Sequence, residues 1–360
     1  MNGKTVQKAS SKLPELNWLR GFAAICIVLY HFTTRYQDVY GAVEGWVVNV
    51  PWGCGAVNTF FLLSGFLTAL TLRDDTHALD FLRKRAVRLY PAYWVCILLT
   101  TAAMLLMMPS KFVGILKLLA NFTKLKGFAG VTHVDGVYWT LMYELQFYIY
   151  VAVLLFLRQG KNLKYWALAG TLLSAAQLIL SSTLGSNLAF KALNFALMRE
   201  YGISFFGGVF LCALKKNMKD LWAVAGLAAC VALSWFLHTR TYFMAYIITV
   251  ALMLVVIVLH RERFGGYLKA VDFLDRKLLF GLSFIAGISF PLYLLHQNIG
   301  MAIIRLLQQG GMTSQVFVLI PIVLSIGLAL AVNRLVERPA EKLLRGKKAR
   351  ARSDGAHAEC

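Results

Sequence analysis

The stretch Leu16–Phe32 reads LNWLRGFAAICIVLYHF, and its character decides the class of the fold. It is apolar enough to enter a bilayer, yet Arg20 stands near one end and His31 towards the other. Eleven residues at about 100° each come to roughly 20° past three turns, so both side chains lie on nearly one helix face. At about 1.5 Å per residue they are roughly 16 Å apart along the axis, about half of a ~30 Å hydrocarbon core. Titratable groups inside a span face the protein interior or a polar cavity, which makes this stripe a functional candidate. The alternative is that Arg20 snorkels to the interface and His31 bonds a backbone carbonyl.

Outward from this stretch the chain keeps the same character. Hydrophobic residues make up 59% of its 360 residues and charged ones 15%, with a mean hydropathy of +0.63. Apolar runs of about 20 residues recur, which predicts an all-α, polytopic transmembrane bundle of about ten spans. Their centres fall near Ile25, Leu63, Leu99, Tyr150, Leu172, Gly207, Ala229, Ala251, Leu292 and Leu324. The fourth begins somewhere between Val137 and Leu145, and Pro291 is expected to kink the ninth. With the amino terminus inside, most of the 37 Lys and Arg residues fall in inner loops and termini. The positive-inside rule therefore places both termini in the cytoplasm. That topology accounts for the formal net charge of +20 without a nucleic-acid partner. No small-residue cleavage site follows the first apolar run, so it is expected to be retained as a span. The six cysteines show neither a disulfide framework nor metal-ligand spacing, and four of them sit in apolar runs as small hydrophobes.

Residues 1–14 form a polar arm with Lys4, Lys8 and Lys12, and residues 343–360 a basic, disordered tail attracted to anionic lipid. The inner loop Arg73–Arg88, RDDTHALDFLRKRAVR, concentrates charge beside the third span. The outer loop Pro109–Gly136 contains KFVGILKLLANFTKLKGF, either a surface amphipathic helix or, the preferred reading, an interfacial connector. No internal repeat is evident, which disfavours transporters built from duplicated halves.

Three groups of residues could carry chemistry. Arg85 and Arg88 enter the third span on the same side of the membrane as Arg20, and three guanidinium forks there suit phosphate oxygens. Glu144, in VYWTLMYELQFYIY, lies about a turn below Trp139, at a depth expected to match His31. A carboxylate there needs a partner or a proton, and a pair with His31 could orient the imidazole for base catalysis or simply fix helix packing. Tyr293 and His296, three apart in SFPLYLLHQ, share a face beyond Pro291, where released carbonyls could accept hydrogen bonds from them. A satisfied core histidine is the preferred reading of His296. Ser64 and Gly65 in FFLLSGFL suggest a close helix contact. There is no GxSxG elbow, P-loop or metal-ligand cluster.

Taken in order, RGFAAICIVLYH, FFLLSGFL, RKRAVRLYPAYW, WTLMYELQFY, SFPLYLLHQ and VERPAEK resemble the acyltransferase-3 family of integral membrane acyltransferases. The resemblance runs from about Leu16 to Lys342 and marks residues 15–342 as one transmembrane acyltransferase domain. Thr140 stands where the family often has serine, a departure that keeps a hydroxyl. The resemblance implies transfer of an acyl group, commonly acetyl, from cytoplasmic acyl-CoA to a hydroxyl of a cell-surface or lipid-linked carbohydrate, without a metal. It implies His31 as the catalytic residue, Arg20 as its companion, and Arg85 and Arg88 on the donor side. Glu144 matches an acidic position of the family. His31 then removes the acceptor's proton or briefly carries the acyl group. The expected partners are acyl-CoA, a carbohydrate acceptor and membrane lipid, in a bacterial inner membrane, and a homo-oligomer is compatible with the sequence. With only the tail after the tenth span, the chain is expected to act alone or to recruit a partner. The competing class is a transporter or flippase for a sugar or lipid-linked solute, in which Arg20, His31 and Glu144 line a solute pathway.

Overall fold

The computed structural model of the chain describes residues 14–123, 130–184, 188–261, 267–277 and 279–343. The arm at 1–13 and the tail from 344 onward, both expected from composition, lie outside the described residues. Every regular element among the described residues is helical. Each of the ten expected span centres falls inside a helix. In chain order these are α1 (Pro14–Phe32), α3 (Ala56–Thr71), α4 (Ala78–Met107), α6 (Trp139–Phe156) and α7 (Leu163–Leu184). They continue with α9 (Gly202–Lys216), α10 (Leu221–Leu237), α11 (Arg240–Arg261), α13 (Phe280–Gln309) and α14 (Leu319–Val332). Shorter helices join them: α2 (Thr34–Tyr40), α5 (Ile115–Asn121), α8 (Leu188–Ala196) and α12 (Tyr267–Lys277).

Eight helical segments among the described residues are long and apolar enough to cross a membrane. The two that fall short are α9, with 15 residues, and α10, with 17. At ~1.5 Å per residue they reach about 22 and 25 Å, less than a ~30 Å hydrocarbon core. α9 is buried along almost its whole length, so protein rather than lipid surrounds it. Large apolar side chains on the long helices instead face outward, among them Leu106, Phe156, Ile179 and Val323. Such a belt is what lipid-facing helices require.

Close helix contacts are made where glycine removes a side chain. α1 packs most extensively on α13, and a Cβ at Gly21 would strike the carbonyl of Leu282 while one at Gly300 would enter the ring of Phe32. α3 and α9 meet at Gly65 and Gly208, whose missing Cβ atoms leave room for the carbonyls of Phe205 and Leu62. Gly65→Val is therefore expected to force α3 from α9 and to destabilise the protein by about 1–3 kcal/mol. Gly281, with open space where its Cβ would be, is the control: Gly281→Ala should leave thermal melting in detergent unchanged or slightly raised.

Pro291 sits inside α13 without ending it. Its missing N–H leaves the carbonyl of Gly287, four residues earlier, without a helical donor. Asn333 Nδ2 takes that carbonyl at 3.1 Å and also donates to Glu337 Oε2 at 2.7 Å, tying the π-helical turn Asn333–Glu337 after α14 onto α13. The released carbonyl thus goes to Asn333, not to Tyr293 or His296 as the sequence suggested. In the outer loop, α5 forms one short helix that exposes Ile115, Leu116 and Leu119. Asn121 at its end anchors the loop, donating to Thr132 O at 3.0 Å and accepting from Val134 N at 2.9 Å. Tyr93 Oη of α4 donates to Asn121 O at 2.7 Å, so the connector is partly helical and is fixed to the bundle.

Candidate active site

Two cavities lie on the face of α1 that carries Arg20 and His31, one towards each end of the bundle. The cavity at the end where α1 begins is lined by Arg20, Arg85, Arg88, Ser64, Glu144 and Tyr148, with Phe61, Leu89 and Phe290 among its apolar walls. In the run RKRAVR, Arg83 and Lys84 are exposed, whereas Arg85 and Arg88, one turn apart, are half-buried and open on the cavity.

Arg85 is the best held of the three guanidinium groups. It lies over the rings of Tyr148 and Phe81, 4.8 and 5.3 Å from their centroids, and donates to Thr68 Oγ1 at 3.2 Å. Contacts of this kind fix a planar fork without neutralising it. None of the three arginines makes an ion pair among the described residues. The cavity's carboxylate, Glu144, instead accepts from Tyr148 Oη at 2.7 Å. Three positive groups thus share one half-buried cavity with Glu144, and none of them is within ion-pair distance of a carboxylate among the described residues.

The second cavity, towards the other end, is lined by Tyr30, His31, Arg35, Trp139, Tyr242 and Gln297. Val57 and Tyr293 line both cavities. The Tyr293 hydroxyl is pinned at this divide, donating to Val137 O at 3.0 Å and lying 2.9 Å from Thr140 Oγ1. His31 Nδ1 is 2.9 Å from Ile27 O and 3.0 Å from His296 Nε2. His296 is fully buried behind it, its own Nδ1 facing the carbonyls of Leu292 and Tyr293 at 3.1 and 2.9 Å.

One expected pairing is corrected by this geometry. Glu144 does not partner His31: it opens on the arginine cavity, and the neighbour of His31 is His296. Trp139 lines the cavity of His31, but α6 passes the divide at Thr140 before Glu144 is reached, so the two lie on opposite sides of it. Ser64 also differs from its expected role. Gly65 makes the close helix contact, while Ser64 opens on the arginine cavity.

A family model described as an acyltransferase domain matches residues 13–334. The chain belongs to the acyltransferase-3 family. Nodulation protein 10 of Rhizobium leguminosarum bv. viciae is 29% identical over 193 residues, covering 48% of this chain and 51% of its own length. Acyltransferase MdmB of Streptomyces mycarofaciens is 34% identical over 89 residues, covering 24% of this chain and 23% of its own. The chain thus spans about half the length of the first relative and about a quarter of the second. No solved structure matches it.

Within this acyltransferase-3 chain, two features escaped the sequence. Tyr148 lies one turn from Glu144, and the i, i+4 spacing could have revealed its bond to that carboxylate. The contact of His296 with His31 had no such signal, since the two are 265 positions apart.

Proposed function

We propose that the protein transfers an acyl group, acetyl in the first instance, from cytoplasmic acyl-CoA to a hydroxyl of a cell-surface or lipid-linked carbohydrate. The observation that carries this reading is the set of three guanidinium groups around one cavity, none in an ion pair among the described residues, with Val57 and Tyr293 alone shared with the cavity of His31. Membership of the acyltransferase-3 family supports the reaction class, and the bacterial sources of both relatives support a bacterial cytoplasmic membrane. The arginine end faces the cytoplasm, in keeping with the positive-inside rule, and both termini lie there.

Arg20, Arg85 and Arg88 hold the phosphate groups of the donor, whose thioester extends past Tyr293 towards His31. His31 accepts the proton of the acceptor hydroxyl as its oxygen attacks the thioester carbonyl. The carbon–sulfur bond breaks and the proton passes to the departing CoA sulfur, so that ester and free thiol are the products. Tyr30, Trp139 and Tyr242 offer aromatic faces, and Gln297 and Arg35 polar groups, to a sugar entering from the opposite side.

The test is radiolabelled acetyl-CoA with protein purified into lipid. Release of CoA, or label passed to added carbohydrate, is expected from the wild type. Absence of turnover together with absence of acetyl-CoA binding, in protein shown to be folded, would remove this donor.

A further inference from the structure

His31 and His296 meet edge to face, with ring centroids 4.8 Å apart and planes at 71°. Their contacts allow the protons to be placed. A carbonyl oxygen only accepts, so a ring nitrogen that faces one carries a hydrogen. His296 Nδ1 faces two carbonyls, those of Leu292 and Tyr293, and is therefore the protonated nitrogen of that ring. The neutral ring then presents a lone pair at Nε2, aimed at His31. His31 Nδ1 faces this lone pair and the carbonyl of Ile27, both acceptors, so it too carries a hydrogen and shares it between them. The lone pair of His31 is left on Nε2, which has no protein partner among the described residues. A doubly protonated His296 would turn the His31 Nδ1 lone pair onto the Ile27 carbonyl at 2.9 Å, a repulsive contact.

We propose that His296 is the positioning residue of this site, accepting the Nδ1 proton of His31 so that His31 Nε2 is the atom that takes the acceptor's proton. When His31 Nε2 gains that proton the ring becomes an imidazolium, and its Nδ1–H bond to His296 becomes charge-assisted. A carboxylate fills this place in Ser-His-Asp sites. Here a neutral imidazole supplies the lone pair without a second buried charge, which a membrane interior penalises heavily. The kinetic part of this inference rests on the acyl-transfer reading, whereas the proton positions belong to the resting protein.

Two variants and one spectrum test it. His296→Gln can place a carbonyl oxygen where Nε2 stood, and His296→Leu fills similar space without an acceptor. Nitrogen-15 spectra of histidine-labelled wild type in lipid are expected to show His31 protonated at Nδ1 and bare at Nε2. His296→Leu should lower kcat between about 10- and 100-fold with the KM for acetyl-CoA unchanged, by analogy with the loss of the hydrogen-bond partner behind a metal-ligating histidine. His296→Gln should recover most of that loss while melting at the same temperature as His296→Leu. A His31 proton found on Nε2, or His296→Leu turning over as fast as His296→Gln, would overturn the proposal. If the wild type transfers no acyl group, the acyl-transfer reading falls, and the nitrogen spectrum still decides where the proton of His31 resides.

Discussion

Replacing His31 by alanine is expected to abolish acyl transfer while leaving the bundle assembled. His31 is half-buried and its ring contributes little to the core, since α1 packs on its neighbours through Ala23, Ile27 and Phe32. Truncation leaves the Nε2 of buried His296 without a partner, at a cost of about 1–3 kcal/mol. It leaves the Phe32–Gly300 contact of α1 with α13 in place. Loss of a general base lowers turnover by roughly 10²–10⁴-fold, and loss of a residue that carried the acyl group would lower it further. The measurement is CoA release by purified wild type and His31→Ala in lipid, alongside thermal melting of both. A variant that folds and keeps more than a tenth of wild-type turnover would remove His31 from the mechanism. Covalent label retained by wild type and absent from His31→Ala would show an acyl-enzyme whose formation depends on His31. Product formation without such label fits direct attack by the acceptor hydroxyl.

The helices were legible because each depends on a local property, an apolar run of sufficient length bounded by charge or by turn residues. The shared face of Arg20 and His31 was legible for the same reason: helical geometry alone relates two positions eleven apart. Arg85 and Arg88 could be selected from a basic run by their spacing, and they are the members of that run that turn inward. Properties that depend on how helices rotate against each other were not legible. Depth along α6 does not reveal which cavity Glu144 enters, since the position of the divide is set by Tyr293, on a helix far away in sequence. His296 is a core histidine in burial and in its carbonyl contacts, as its sequence context predicts. Its second role arises because Gly21 and Gly300 let α1 and α13 approach closely enough for two imidazoles to touch.

Removing the charge of Arg85 or Arg88 is expected to act on the donor and to spare the acceptor side, and the two residues should respond differently to lysine. Charge-assisted hydrogen bonds are worth about 1.5–3 kcal/mol each, so Arg88→Ala should raise the apparent KM for acyl-CoA by roughly 10- to 100-fold. The KM for the carbohydrate should stay near its wild-type value, because Arg88 does not line the cavity of His31. At Arg85 a lysine keeps the charge but loses the planar group that rests on Tyr148 and Phe81, together with a donor aimed at Thr68. Arg85→Lys is therefore expected to weaken donor use almost as much as Arg85→Ala, whereas Arg88→Lys should retain a larger share. Titration of the variants with acetyl-CoA and with 3′-dephospho-CoA sharpens the assignment. If an arginine holds the 3′-phosphate, its loss should cost affinity for acetyl-CoA and little further affinity for the dephosphorylated ligand. Unchanged acyl-CoA affinity in both Arg85→Ala and Arg88→Ala would mean that the unpaired guanidinium groups serve another anion, and the donor would have to be sought elsewhere.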